Sequence, residues 1–174
     1  MNITIKNRLF ILFAVSLLLT GYNTKATAGT LKVGDTITNF SLPDGITGEK
    51  VTYKKDILNK SKLIVFAFVT TTCSACQSEM TLLSKLANEN EDLKLYAICV
   101  DINGKSTVPL YNKNFGFKAR YMLDPDFIIP QKFGFTFTPS LIVATGEGEI
   151  LFTKGGYSEE AGEEVTEVIE DALK

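Results

Sequence analysis

Apolar and polar positions alternate along this chain in two periods, two and roughly 3.6, which separates strands from helices before any motif is considered. Leu63 to Val69 (LIVFAFV) is continuously apolar, the pattern of a strand covered on both faces. Leu93 to Val100 carries a second apolar run, interrupted only by Lys94, and predicts another central strand. Between them Cys76, Met80, Leu83 and Ala87 recur at helical spacing along one apolar face. Leu31 to Tyr53 mixes alternating apolar residues with the turn signals Pro43-Asp44-Gly45 and Thr47-Gly48, and predicts an N-terminal β-hairpin region. After Val100 a polar, Gly-containing stretch leads to a short helix near Pro109 to Phe115. A short strand at Tyr121 to Leu123, a turn at Asp124-Pro125-Asp126 and a short helix at Phe127 to Phe133 follow. Leu141 to Ala144 and Ile150 to Lys154 flank Thr145-Gly146-Glu147-Gly148 as an antiparallel hairpin. Ser158 is placed to cap a last helix whose apolar stripe is Ala161, Val165, Val168, Ile169 and Ala172, with a solvated acidic face opposite. Strand, helix, strand, helix, hairpin and terminal helix make an α/β fold with a mixed sheet and helices on both sides.

The first 28 residues stand apart. Lys6 and Arg8 precede an apolar run from Leu9 to Leu19, and Ala26-Thr27-Ala28 offers a small-residue cleavage site, the layout of a secretory signal peptide cut after Ala28. An uncleaved membrane anchor is the alternative, but eleven residues at about 1.5 Å each reach only half of a hydrocarbon core about 30 Å thick. Residues 29–174 then form one domain, a size that supports a single core. Removing the segment takes three of the 18 basic residues and none of the 20 acids, so the mature domain carries a net charge of −5. That balance argues against nucleic acid or an anionic membrane face as the main partner. We expect an exported, monomeric protein, membrane-associated only if the signal stays attached.

Export changes how three cysteines should be read, because thiols outside the cytosol tend toward disulfides unless a dedicated pathway reduces them. Cys73 and Cys76 enclose two residues where a buried strand meets a helix N-terminus. Unpaired N–H groups and the helix dipole favour an anion there, which makes Cys73 the attacking thiolate and Cys76 the resolving thiol one turn on. A bridge closing so small a loop restrains the unfolded chain little, which weighs against a structural staple. The chain has no histidine and no second CxxC, which weighs against structural zinc; a two-thiolate copper(I) carrier is still chemically open. Without imidazole, proton handling falls to water or a carboxylate. Glu79, three residues after Cys76, is either that proton partner or an ordinary exposed helix glutamate. Cys99, inside the second apolar run, reads as a small core residue rather than a reactive thiol.

Cys73-Ser74-Ala75-Cys76-Gln77-Ser78-Glu79 resembles the CxxC-x-x-E segment of the ResA-like and TlpA-like exported thioredoxins, and Phe135-Thr136-Phe137-Thr138-Pro139-Ser140 resembles their cis-proline loop. The likeness runs from Val33-Gly34-Asp35 through Phe40-Ser41-Leu42 and Met122-Leu123-Asp124 to Gly155-Gly156-Tyr157. It implies a thioredoxin-like fold with an N-terminal β-hairpin extension and a central helix-containing insertion. It further implies a cis Pro139 beside the sulfurs, a Thr138 backbone that pairs with an extended substrate, and Glu79 as the active-site carboxylate. No cofactor beyond the cysteine pair is implied. The resemblance points to a periplasmic or extracytoplasmic reductase of exported protein disulfides, such as those of apocytochrome c before haem attachment, fed by a membrane thiol-disulfide electron donor. An oxidase or isomerase would use the same residues. Thr72, Ala67, Thr81 and Ala75 depart from the family pattern, at positions where relatives carry tryptophan, a buried aspartate, a helix-kinking proline and the CxPC proline. Thr70, three residues before Cys73, keeps a thiol peroxidase of the wider redoxin group as a second enzyme reading, although Phe66 stands at that group's proline position.

Overall fold

The computed structural model describes residues 30–174, so the signal segment expected over residues 1–28 lies outside the described residues. Seven strands and four helices follow one another: β1 (Ser41–Pro43), β2 (Lys50–Thr52), β3 (Leu63–Val69), α1 (Ser74–Glu89), β4 (Leu93–Cys99), α2 (Gly104–Phe115), β5 (Arg120–Leu123), α3 (Ile128–Lys132), β6 (Ser140–Thr145), β7 (Ile150–Gly155) and α4 (Glu159–Leu173). The main sheet runs β5-β4-β3-β6-β7, parallel from β5 to β3 and antiparallel from β3 to β7. β1 and β2 form a separate antiparallel pair.

β3 is buried at all seven positions, as its unbroken apolar run requires of a strand with neighbours and layers on every side. Period-two alternation splits its side chains. Leu63, Val65, Ala67 and Val69 enter one core with α1, α2 and α4, while Ile64, Phe66 and Phe68 enter the other with the β1–β2 hairpin and α3. Helices therefore lie on both faces, three on one and the short α3 on the other. On the hairpin side Phe40 stacks on Tyr53 at 5.3 Å, and both rings lie close to Phe66.

Two elements differ from the sequence pattern. Tyr53–Ile57 forms a π-helical turn at the end of the hairpin, with Tyr53 and Ile57 buried and Thr52 N–H donating to Asp56 at 2.7 Å. The insertion helix α2 begins at Gly104, five residues ahead of Pro109, which sits inside the helix. Its start is held by Ser106 and Thr107 N–H groups donating to the Asn103 carbonyl, and Val108 and Tyr111 bury one face. Gly104 suits that start because a Cβ there would lie 3.1 Å from Leu123 and 3.4 Å from Cys99 Sγ. Ser158 caps α4 as expected, accepting from Ala161 N–H at 3.1 Å.

The hairpin is tied to the sheet by Asp44, a buried carboxylate that accepts from Ile46 and Thr47 N–H and from Arg120 Nε at 2.9 Å. Burial alone would raise its pKa; the two backbone donors and Arg120 outweigh that and hold the carboxyl below its ordinary value. A depressed acid contributes stability above its unfolded pKa and loses it as pH falls through the folded one. Asp44→Ala should therefore lower stability in urea by about 2 kcal/mol at pH 7, since it strands two N–H groups. The deficit should shrink as pH falls below the ordinary carboxylate value and the wild-type carboxyl is itself protonated.

Candidate active site

Register along the sheet decides what meets at its edge. Val69 pairs with Cys99, Cys99 with Leu123, Phe68 with Ser140, and Ser140 with Gly155. The Thr70–Cys73 turn, the loop after β4, the Thr138-Pro139 segment and Gly155-Gly156 consequently lie along one end of the sheet.

Cys73 is the N-cap of α1, in extended backbone at φ −87° and ψ 115°, and its Sγ accepts the Cys76 N–H at 3.0 Å. A sulfur in that position takes the place of the capping oxygen and meets the positive end of the helix, where a thiolate is favoured. Cys73 is joined to Cys76 in a disulfide, with Cα atoms 5.2 Å apart. The two sulfurs differ in surroundings, since Cys73 is half-buried and Cys76 is fully buried among the core residues beneath α1.

Glu79, on the next turn, is 1% exposed, and neither carboxylate oxygen has a hydrogen-bond partner. Desolvation pushes its pKa up to about 8. The exposed-glutamate alternative is thereby removed. Of the buried acids among the described residues, Asp44 and Asp124 are hydrogen-bonded and Glu79 alone is not. Ala67, which fills the position of thioredoxin's buried aspartate, is fully buried in apolar surroundings. Thr81, in place of the kinking proline, donates its hydroxyl to the Gln77 carbonyl at 2.7 Å within α1.

The Thr138-Pro139 peptide bond is cis, as the resemblance implies. Pro139 is buried, Thr138 half-buried, and the Pro139 carbonyl accepts from Gly156 N–H at 2.8 Å. Gly156 adopts φ +79°, a left-handed conformation that side chains disfavour, and a Cβ on the neighbouring Gly155 would make a tight 3.1 Å contact with the Phe137 ring.

Cys99 is buried, and burial pushes its thiol up to about 12, which keeps it an unreactive core residue. Its Sγ lies 3.6 Å from Asp101 Oδ2. Asp101 is the site residue that sequence reasoning missed. It accepts from both the backbone N–H and the hydroxyl of Thr71, thirty positions earlier, and nothing local in Asp101-Ile102-Asn103-Gly104 signals more than a turn. Thr70, singled out for a peroxidase, joins the turn through its carbonyl, which accepts Cys73 N–H at 3.4 Å. No group of three or more metal-ligating side chains converges among the described residues.

The Redoxin family profile matches residues 32–170. The chain is 28% identical over 168 residues to the thiol-disulfide oxidoreductase ResA of Halalkalibacterium halodurans, covering 93% of each. Its fold resembles a Chlorobium tepidum structure described as thiol:disulfide interchange protein DsbE, with a TM-score of 0.72 at 17% identity over 83% of this chain and 100% of that one. A secreted Mycobacterium tuberculosis disulfide oxidoreductase homologous to DsbE superposes with a TM-score of 0.59 at 16% identity, over 76% of this chain and 95% of that one. Members of this group carry electrons on the cysteine pair without a cofactor. The chain belongs to the Redoxin family, as a thioredoxin-like thiol-disulfide oxidoreductase of the ResA/TlpA-like type.

Proposed function

We propose that the protein is an extracytoplasmic reductase of protein disulfides, acting on exported cysteine-containing polypeptides such as apocytochrome c and recharged by a membrane thiol-disulfide donor. The observation that carries the assignment of roles is the asymmetry of the two sulfurs: Cys73 is half-buried at the helix N-cap, whereas Cys76 is fully buried. Only the first is placed to meet a polypeptide. The ResA relative and the secreted Mycobacterium protein support the compartment, as does the charge and hydropathy layout of residues 1–28.

In the forward reaction the Cys73 thiolate attacks one sulfur of a substrate disulfide, forming a mixed disulfide and releasing the other substrate sulfur as a thiolate. Cys76 then gives its proton to the Glu79 carboxylate and attacks Cys73 Sγ. The second substrate sulfur leaves, two electrons have passed to the substrate, and the Cys73–Cys76 disulfide is restored. A carboxyl with a pKa near the working pH can take that proton and later return it. Thr138, beside the cis proline, offers the backbone ledge on which an extended substrate segment lies.

Three measurements test this reading. The Cys73/Cys76 reduction potential should fall well below about −220 mV; a value near about −120 mV would assign the protein as an oxidant. Cys76→Ser should trap exported cysteine-containing proteins as mixed disulfides on Cys73 in whole cells, and capture of none would remove the substrate model. Glu79→Gln should slow resolution by about tenfold to a hundredfold, and flatten its rise with pH through the region near 8.

The same variant should also change stability. A carboxyl whose folded pKa is raised contributes most below its unfolded pKa, and stability is lost as pH climbs from there through the folded value. In the oxidised protein Glu79→Gln should therefore be more stable than wild type at pH 8, by about 4 kcal/mol, with little difference near pH 4. Urea unfolding at the two pH values reads this directly.

A further inference from the structure

The turn that delivers Cys73 to its helix has little of its own to hold it. Its closing contact, Cys73 N–H to the Thr70 carbonyl, is long at 3.4 Å. What fixes it comes from across the sheet. Asp101 lies two residues beyond β4, and its Oδ2 accepts the Thr71 N–H at 2.9 Å and the Thr71 hydroxyl at 2.5 Å. The Thr107 hydroxyl of α2 and the Cys99 thiol of β4 reach the same oxygen at 3.5 and 3.6 Å. Hydrogen bonds to an ionised acceptor are the stronger kind, and two of them from one residue fix both its backbone and its side chain.

The carboxylate is not needed to hold its own loop. That loop is closed by backbone contacts, Gly104 N–H to the Asp101 carbonyl at 2.9 Å and Ser106 N–H to Asn103, and Gly104 packs closely against Leu123 and Cys99. The side chain's bonds are spent on other elements, and the closest pair goes to the residue two positions ahead of the nucleophile. No basic side chain pairs with Asp101 among the described residues, so its charge is met by neutral donors from the turn, β4 and α2.

We propose that Asp101 is a positioning residue for thiol exchange: by clamping Thr71 it holds Cys73 Sγ at the N-terminus of α1 and so sets the reactivity of the attacking thiol. The inference rests on Cys73 being that thiol, and on nothing about the substrate or the direction of electron flow. It also gives the insertion between β4 and β5 a task in the site, since Asp101 and Thr107 bring that segment to the Cys73 turn.

The sign of the effect separates positioning from charge. Deleting a nearby negative charge would by itself favour the Cys73 thiolate and speed its alkylation. Loosening the turn instead takes Cys73 Sγ away from the Cys76 N–H and the helix end, and slows it. The test is the rate of Cys73 alkylation by iodoacetamide at pH 7 in the reduced full domain, located by mass spectrometry, together with the reduction potential. Asp101→Ala and Thr71→Val should each slow alkylation by about threefold or more and move the potential to more negative values. The double variant should be no slower than Asp101→Ala alone, because both act through one contact. Thr71→Val keeps every charge and the backbone N–H, so it stays informative if Asp101→Ala does not fold. Faster alkylation in Asp101→Ala with no change in Thr71→Val, unchanged rates and potentials in both, or additive slowing would each overturn the proposal. Failure of Cys76→Ser to trap partners, with these effects present, would sink the substrate reading and leave this one standing.

Discussion

The burial of β3 on every side is the constraint on which the rest depends. Its two faces feed two cores, and its two neighbours pair with it in opposite senses, β4 parallel and β6 antiparallel. A one-residue slip against either neighbour would exchange the faces and place Ile64, Phe66 and Phe68 where Leu63, Val65 and Val69 belong. Register is thus fixed by core packing, and the same register brings four chain segments to the end of the strand. None of them is adjacent in sequence to all the others. A site assembled this way is as rigid as the sheet that carries it, which suits chemistry that needs a sulfur aligned with a helix end.

The two cysteines of the pair are given opposite surroundings by one helix. At the cap, N–H groups and the dipole favour charge on Cys73; a turn inward, the core disfavours charge on Cys76 and on Glu79 alike. Because Ala67 leaves no acid on β3, the proton has one unpaired buried carboxyl to go to among the described residues. Burying Glu79 without a partner lowers the stability of the fold at and above neutral pH, a cost of the kind that functional sites commonly carry.

How much of this the sequence reveals depends on the range of the interaction that decides it. β3, β4, α1, the β6–β7 hairpin and α4 follow from apolar period and caps, all readable within a short window. Gly104 and Asn103 look like turn residues and Pro109 like a helix start. The close packing of Gly104 on Leu123 that favours the earlier start is a contact across the sheet. The π-helical turn at Tyr53–Ile57 is hidden for a similar reason, since Tyr53 continues the strand pattern and is turned inward by Phe40 and Phe66. Cys73 and Cys76 are legible because their spacing is their chemistry. Glu79 is only half legible: spacing sets it beside Cys76, but its burial depends on what packs against α1. Asp101 leaves no local trace at all.

The oxidised site already contains what the reduced one needs. Cys76 N–H points at Cys73 Sγ while that sulfur is uncharged and bonded to its partner. On reduction the same sulfur becomes a thiolate, and the donor that would stabilise it is in place, so the change in charge requires little rearrangement of the polar groups around it. Such an arrangement favours rapid exchange, because the donor that stabilises the thiolate does not have to be brought into place first. What separates a reductant from an oxidant on this scaffold is then the balance of three small electrostatic contributions: the helix end acting on Cys73, the buried carboxyl beside Cys76, and the firmness with which the turn presents one to the other.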